Sequence, residues 1–123
     1  KGPAGNVSAQ GYDISVLSAV AHNDWSNMNF GGKDLHGIRL KSDFGNRIEV
    51  ANTSFKGANL SRLFIHEYEF ITCDFRNANL NNSIIWEAEF INCNFKGATI
   101  IGSDLLESHF VNCTMPDGTK RND

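Results

Sequence analysis

The sequence predicts an all-β chain wound into a quadrilateral parallel β-helix, a solenoid of four to five coils behind a short N-terminal cap. Three observations predict it. Every multiple of five from Val50 to Met115 is a large apolar residue, segments twenty residues apart match one another, and the only prolines are Pro3 and Pro116. Every residue between those prolines carries an amide donor, so one hydrogen-bond ladder can run the length of the repeats. A chain of 123 residues with 41% apolar and 20% charged residues is one globular domain able to bury a core. Eleven Lys plus Arg against 14 Asp plus Glu give a net charge of −3, too balanced for a nonspecific nucleic-acid binder. No apolar run is long enough to cross a bilayer as a helix.

The chain divides into an N-terminal tail and cap (1–23), the repeats (24–117) and a polar C-terminal tail (118–123). Residues 1–5 read as a processed or excised boundary, and because the chain starts at Lys1 rather than Met, a removed targeting segment stays open. From Asp13 to Asn23, apolar Ile14, Leu17, Val20 and Ala21 behind Asp13 as N-cap predict a short helix closing the first coil. Val20 and Trp25 also fit a ragged opening coil.

A period of five matches neither the 3.6 of a helix nor the 2 of a strand. It requires a chain that turns every five residues, so that four short sides close a square and residue n stacks on residue n+20. Segments 51–70, 71–90 and 91–110 align at most positions. Upstream the five-residue phase runs through Val20, Trp25, Phe30, Leu35 and Leu40 and breaks at Gly45, with Phe44 displaced beside it, so the coil near 40–48 is expected to be distorted. The position two before a large residue is usually small, as at Ala58, Cys73, Ala78, Ser83, Ala88, Cys93, Ala98 and Cys113. Gly37, Gly57, Asn77 and Gly97 are expected to share a corner column that needs positive φ. At the far end Met115-Pro116-Asp117-Gly118 stops the ladder and turns the chain.

The runs Phe55-Lys-Gly-Ala-Asn-Leu60, Phe75-Arg-Asn-Ala-Asn-Leu80 and Phe95-Lys-Gly-Ala-Thr-Ile100 resemble the pentapeptide-repeat family over roughly residues 25–117. The resemblance implies a right-handed quadrilateral β-helix, the hand also favoured for parallel crossovers. Leu63 and Tyr68 depart from it by being bulky where the family is small.

Outward columns describe the faces a partner meets. Phe44, Phe64 and Ile84 are expected in one column, flanked by Trp86 and Leu106, with Ile71, Ile91 and Val111 in another. Exposed apolar surface of this extent marks an interaction face. Glu67, Glu87 and Glu107 form one acidic column and Glu49, Glu69 and Glu89 its neighbour, ending in His109. His36, Lys56, Arg76 and Lys96 are expected to form a basic column. The acidic edge carries about one charge per 2.4 Å, near the spacing along duplex DNA. Some pentapeptide-repeat proteins are DNA mimics that bind a type II topoisomerase and protect it from quinolones, and this edge resembles that device. Departures are its shortness, the nearby basic column and the lack of the C-terminal helical segment that joins the family's mimics as dimers.

Cys73, Cys93 and Cys113 share an inward column with Thr53 and read as small buried thiols, since a spacing of twenty is no zinc signature. Unpaired thiols point to a reducing compartment such as the cytoplasm. The scattered histidines, exposed carboxylates and lack of a nucleophile or phosphate-loop motif predict no catalytic residue, metal or cofactor. The sequence therefore reads as a non-enzymatic interaction or scaffold module for a protein partner, monomeric or weakly dimeric, that binds neither nucleic acid nor membrane directly. The alternative is a DNA-mimicking gyrase binder or protector.

Overall fold

The computed structural model describes residues 11–42 and 45–123. Helix α1 (Ile14–His22) opens it, with Asp13 as N-cap accepting the Ser15 amide at 2.8 Å and Asn23 ending it in the left-handed region at φ 52°. Its buried residues, Val16 and Ala19, cover the front of the solenoid, so Phe30 and Leu35 are sealed although no earlier coil of the described residues lies above them.

The strands follow as β1 (Arg39–Lys41), β2 (Ile48–Ala51), β3 (Phe64–His66), β4 (Tyr68–Ile71), β5 (Ile84–Trp86), β6 (Glu89–Ile91), β7 (His109–Val111), β8 (Cys113–Thr114) and β9 (Lys120–Arg121). One side of the square is the parallel sheet β1-β3-β5 and another is β2-β4-β6-β7. The other two sides are built from single parallel bridges, through Asn29, Ser54, Asp74, Asn94 and Thr114, and through Asp34, Asn59, Asn79 and Thr99. The chain is thus a parallel β-solenoid.

Register runs at the expected twenty from Val50 through Phe70 and Phe90 to Phe110. These four strands mark about three regular turns, fewer than the four to five coils expected. The difference lies in the first circuit. Arg39 pairs with Phe64 and Asn29 with Ser54, a step of twenty-five, because the chain takes ten residues rather than five to pass from Leu40 to Val50. The detour adds one whole five-residue side, which leaves the inward phase intact and moves every earlier residue to a new vertical neighbour.

Three expected columns are corrected by that step. Arg39, not Phe44, heads the column of Phe64 and Ile84, and Phe44 itself lies outside the described residues. His36 leaves the basic column, because Asp34 pairs with Asn59 and so sets His36 over Ser61. Gly32, whose amide donates to the Lys56 carbonyl, takes the corner place above Gly57, Asn77 and Gly97, while Gly37 belongs above Arg62. All these corner residues have positive φ, from 56° at Arg62 to 78° at Gly97.

The interior is filled. Phe75 stacks on Phe95 at 4.8 Å and 5°, and Phe70 on Phe90 at 5.0 Å and 9°, while neighbouring columns meet edge to face, as Phe75 and Phe90 do at 77°. Both are favoured aromatic geometries. Small residues between them let the corners close, and their polar atoms are satisfied by backbone. The Ser83 hydroxyl donates to the Leu60 carbonyl at 2.8 Å, and the Cys73, Cys93 and Cys113 thiols donate to the Val50, Phe70 and Phe90 carbonyls. The cysteines are free and buried. Neighbouring sulfurs, then burial, push the Cys93 thiol above its ordinary range. Bulky Leu63 and Tyr68 are accommodated as core, Tyr68 reaching up to donate to the Asn23 side chain at the end of α1.

At the back the polar tail does not trail away. The chain turns at Asp117 and Gly118, and β9 pairs antiparallel with β8. This sets the Arg121 guanidinium 4.4 Å from the centre of the Phe110 ring, covering one corner of the last coil.

Candidate functional site

Side chains on β1, β3 and β5 alternate, so their middle residues Leu40, Ile65 and Ile85 are buried and their outer residues form two columns on one lateral face. One column is Arg39, Phe64, Ile84 and, by a bridge, Asp104. The other is Lys41, His66 and Trp86, continued by Leu106, whose carbonyl accepts the Glu87 amide. The rungs bring Phe64, Ile84, Trp86 and Leu106 together as one strip.

Phe64 meets Trp86 edge to face at 5.9 Å, and the Arg39 guanidinium lies 4.4 Å over the Phe64 ring. These contacts leave Phe64 and Trp86 half-buried, while Ile84 is 37% and Leu106 53% exposed. The Trp86 indole N–H is buried with no acceptor among the described residues. The strip is apolar in the middle, cationic at the front through Arg39 and Lys41, and anionic at the back through Asp104 and Glu107. Sequence spacing found the four apolar residues but missed Arg39, since only the lengthened first circuit delivers it there. On the side formed by β4, β6 and β7, Ile71, Ile91 and Val111 stand in register, with Val111 exposed.

The acidic residues occupy the neighbouring corner and side. Glu67, Glu87 and Glu107 stand at left-handed corner positions with φ of 60°, 54° and 54°. The His66 ring lies between two of them, 2.9 Å from Glu87 and 3.7 Å from Glu67. Glu49, Glu69 and Glu89 stand in register and are followed by His109. Burial, reinforced by a hydrogen bond to Glu89 and by the charges of Glu89 and Glu49, raises the Glu69 carboxyl above its usual range. Arg47 opposes that shift and donates to the Tyr68 and Glu87 carbonyls at 3.2 and 2.8 Å. The edge is therefore partly neutralised. Among the described residues, no group of three or more His, Cys, Asp or Glu is placed to hold a metal ion, and no helix is long and apolar enough to cross a membrane.

A parallel solenoid with a filled interior and side chains sorted by face defines a repeat protein. Residues 73–115 match the family model of pentapeptide repeats in 8 copies. It is similar to the solved structure of trypsin-treated QnrB1, a plasmid-mediated fluoroquinolone resistance protein, at 20% identity and a TM-score of 0.49, covering 73% of this chain and 52% of that one. It is also similar to HetL, a pentapeptide-repeat protein involved in heterocyst differentiation regulation in the cyanobacterium Nostoc, at 18% identity and a TM-score of 0.29, covering 78% and 55%. Rfr23 from the cyanobacterium Cyanothece matches at 16% identity and a TM-score of 0.30, covering 87% and 97%. This chain spans about half the length of the QnrB1 and HetL chains. No curated protein matches it in sequence.

Proposed function

We propose that this chain is a non-enzymatic interaction module that docks a partner protein on the strip of Phe64, Ile84, Trp86 and Leu106. The observation that carries the reading is the continuity of that strip across successive rungs, with Ile84 and Leu106 exposed on a rigid backbone. A preformed surface loses little conformational entropy on binding. Charge at the two ends of the strip and the acidic edge beside it would steer and orient the approach.

Photo-crosslinking from positions 84 and 106 tests it, with positions 72 and 92 on another part of the surface as controls. A defined protein adduct is expected from the first pair alone, and the adduct from position 84 should be lost on Leu106→Lys. Equal labelling from both pairs would remove the strip as the docking face. Replacing Phe64 and Trp86 by Ser should likewise abolish the adduct without unfolding; unfolding instead would show that these two rings serve the core.

The in-register column Glu49, Glu69 and Glu89 favours a second reading, mimicry of nucleic-acid phosphates toward a topoisomerase, the activity suggested by quinolone resistance in QnrB1. Three carboxylates, one of them with a raised pKa, ending in His109 and shared with Arg47, make a shorter and weaker anionic row than that reading needs. Inhibition of gyrase supercoiling by the intact chain, lost in Glu69→Gln/Glu89→Gln, would support it.

A further inference from the structure

The two ends of the solenoid are finished differently. At the front, α1 seals Phe30 and Leu35, at 0% and 1% exposure. At the back, the β8-β9 hairpin covers the Phe110 corner and leaves Ile100 and Leu105 only partly buried, with Ile101 74% and Leu106 53% exposed beside them.

The backbone is unfinished on the same two sides. In the preceding coil the amides of Leu80, Asn82, Ile85 and Glu87 donate to Thr99, Ile101, Asp104 and Leu106 carbonyls at 2.8 to 2.9 Å. Their equivalents one turn later, the amides of Ile100, Gly102, Leu105 and Glu107, have no acceptor among the described residues. The Ser83 carbonyl accepts the Asp104 amide at 2.8 Å, and its equivalent at Ser103 has no donor among the described residues. On the side running from Ser103 to Glu107 this leaves one acceptor and two donors at the spacing that a parallel strand uses, above the apolar Leu105.

We propose that this open rung is a binding site for an extended basic-apolar-apolar-basic segment of a partner polypeptide, added as a parallel strand. Main-chain bonds to Ser103, Leu105 and Glu107 would hold such a segment, as in strand addition to other exposed sheet edges. The register of the preceding rung fixes the side-chain preference. A partner residue above Leu105 points into the core end, its predecessor lies over Asp104, its successor over exposed Leu106, and the next residue lies beside Glu107. Between Ala98 and Ser108 the only charges are Asp104 and Glu107. Cations therefore suit the two outer places. A second copy of this chain suits them poorly, because its own last rung would bring Asp104 and Glu107 against like charges. The site adjoins the back end of the lateral strip, sharing Asp104, Leu106 and Glu107 with it and leaving out Phe64 and Trp86.

The test uses the whole chain, isotope-labelled, and a blocked synthetic peptide carrying Lys-Ile-Val-Lys, with Glu-Ile-Val-Glu as control. Amide exchange at Leu105 and Glu107 is expected to slow at least tenfold with the basic peptide, with binding at least tenfold weaker for the acidic one. Asp104→Lys/Glu107→Lys, two exposed replacements whose folding is checked by melting, should reverse the preference. Unchanged exchange at Leu105 and Glu107 would overturn the proposal. So would perturbations confined to Phe64 and Trp86, which would place the peptide on the lateral strip, or concentration-dependent dimerisation that alone protects these amides.

Discussion

Arg39 holds its guanidinium 4.4 Å from the centre of the Phe64 ring, one rung below it in the same sheet. Arg39→Ala removes a cation–π contact at an exposed site and should lower stability by about 0.5–1 kcal/mol. Urea titration measures that. The same change uncovers the Phe64 face, so binding of an environment-sensitive apolar dye should rise. A variant with unchanged stability and unchanged dye binding would show the contact to be without energetic weight.

Phe90 sits in the middle of the ring stack, 5.0 Å from Phe70 and 5.2 Å from Phe110. Phe90→Ala opens a cavity that parallel coils, tied by backbone bonds above and below, cannot collapse. A loss of about 3–5 kcal/mol is expected in chemical denaturation, enough to leave a chain of this size largely unfolded. Phe90→Leu should recover most of the loss.

Corner glycines differ in what surrounds them. A Cβ at Gly57 would meet nothing within 4 Å, whereas one at Gly97 would collide with the Asn77 side-chain oxygen. Both have positive φ, so alanine costs about 1–2 kcal/mol at either place. Gly97→Ala should cost more than Gly57→Ala, and the excess should vanish in the Asn77→Gly background. The double-mutant cycle is expected to show a coupling of at least about 0.5 kcal/mol between 77 and 97.

Two carboxyls give opposite pH dependences. Hydrogen bonds from the Ser15 hydroxyl, then Lys33, hold Asp13 down at about 2, below its ordinary 3.8. Its ionised form therefore contributes stability that is present above pH 3.8 and lost as pH falls toward 2. Asp13→Asn should destabilise at pH 6, with the gap to the parent closing by about pH 2. Glu69, raised by burial and by Glu89, binds its proton more readily in the folded state, so its contribution declines as pH rises from its ordinary value through the folded one. Glu69→Gln should stabilise at neutral pH by about 0.5 kcal/mol, the usual scale of a like-charge pair across neighbouring strands, with the gain fading as pH falls. Thermal melts of both variants from pH 2 to 7 measure the two trends, and slopes of the same sign would contradict this assignment.

How much of this was legible beforehand follows from particular residues. That Phe70, Phe90 and Phe110 point inward above one another was readable, because their spacing repeats without interruption. The apolar strip was readable at Phe64, Ile84, Trp86 and Leu106 for the same reason. Arg39 was not, since nothing in its own neighbourhood marks it as the partner of Phe64. Nor did the polarity of residues 118–123 show that Arg121 would fold back over Phe110, because that strand is made by a turn closing on a ladder already in place.

The sequence by itself determined which side chains face inward, since a five-residue phase is a local property of a chain that turns after every short side. Only the tertiary structure decided which residues are vertical neighbours in the first circuit. An added side of five residues leaves the phase unchanged, and the backbone bonds that choose the neighbour form only when a whole turn has closed.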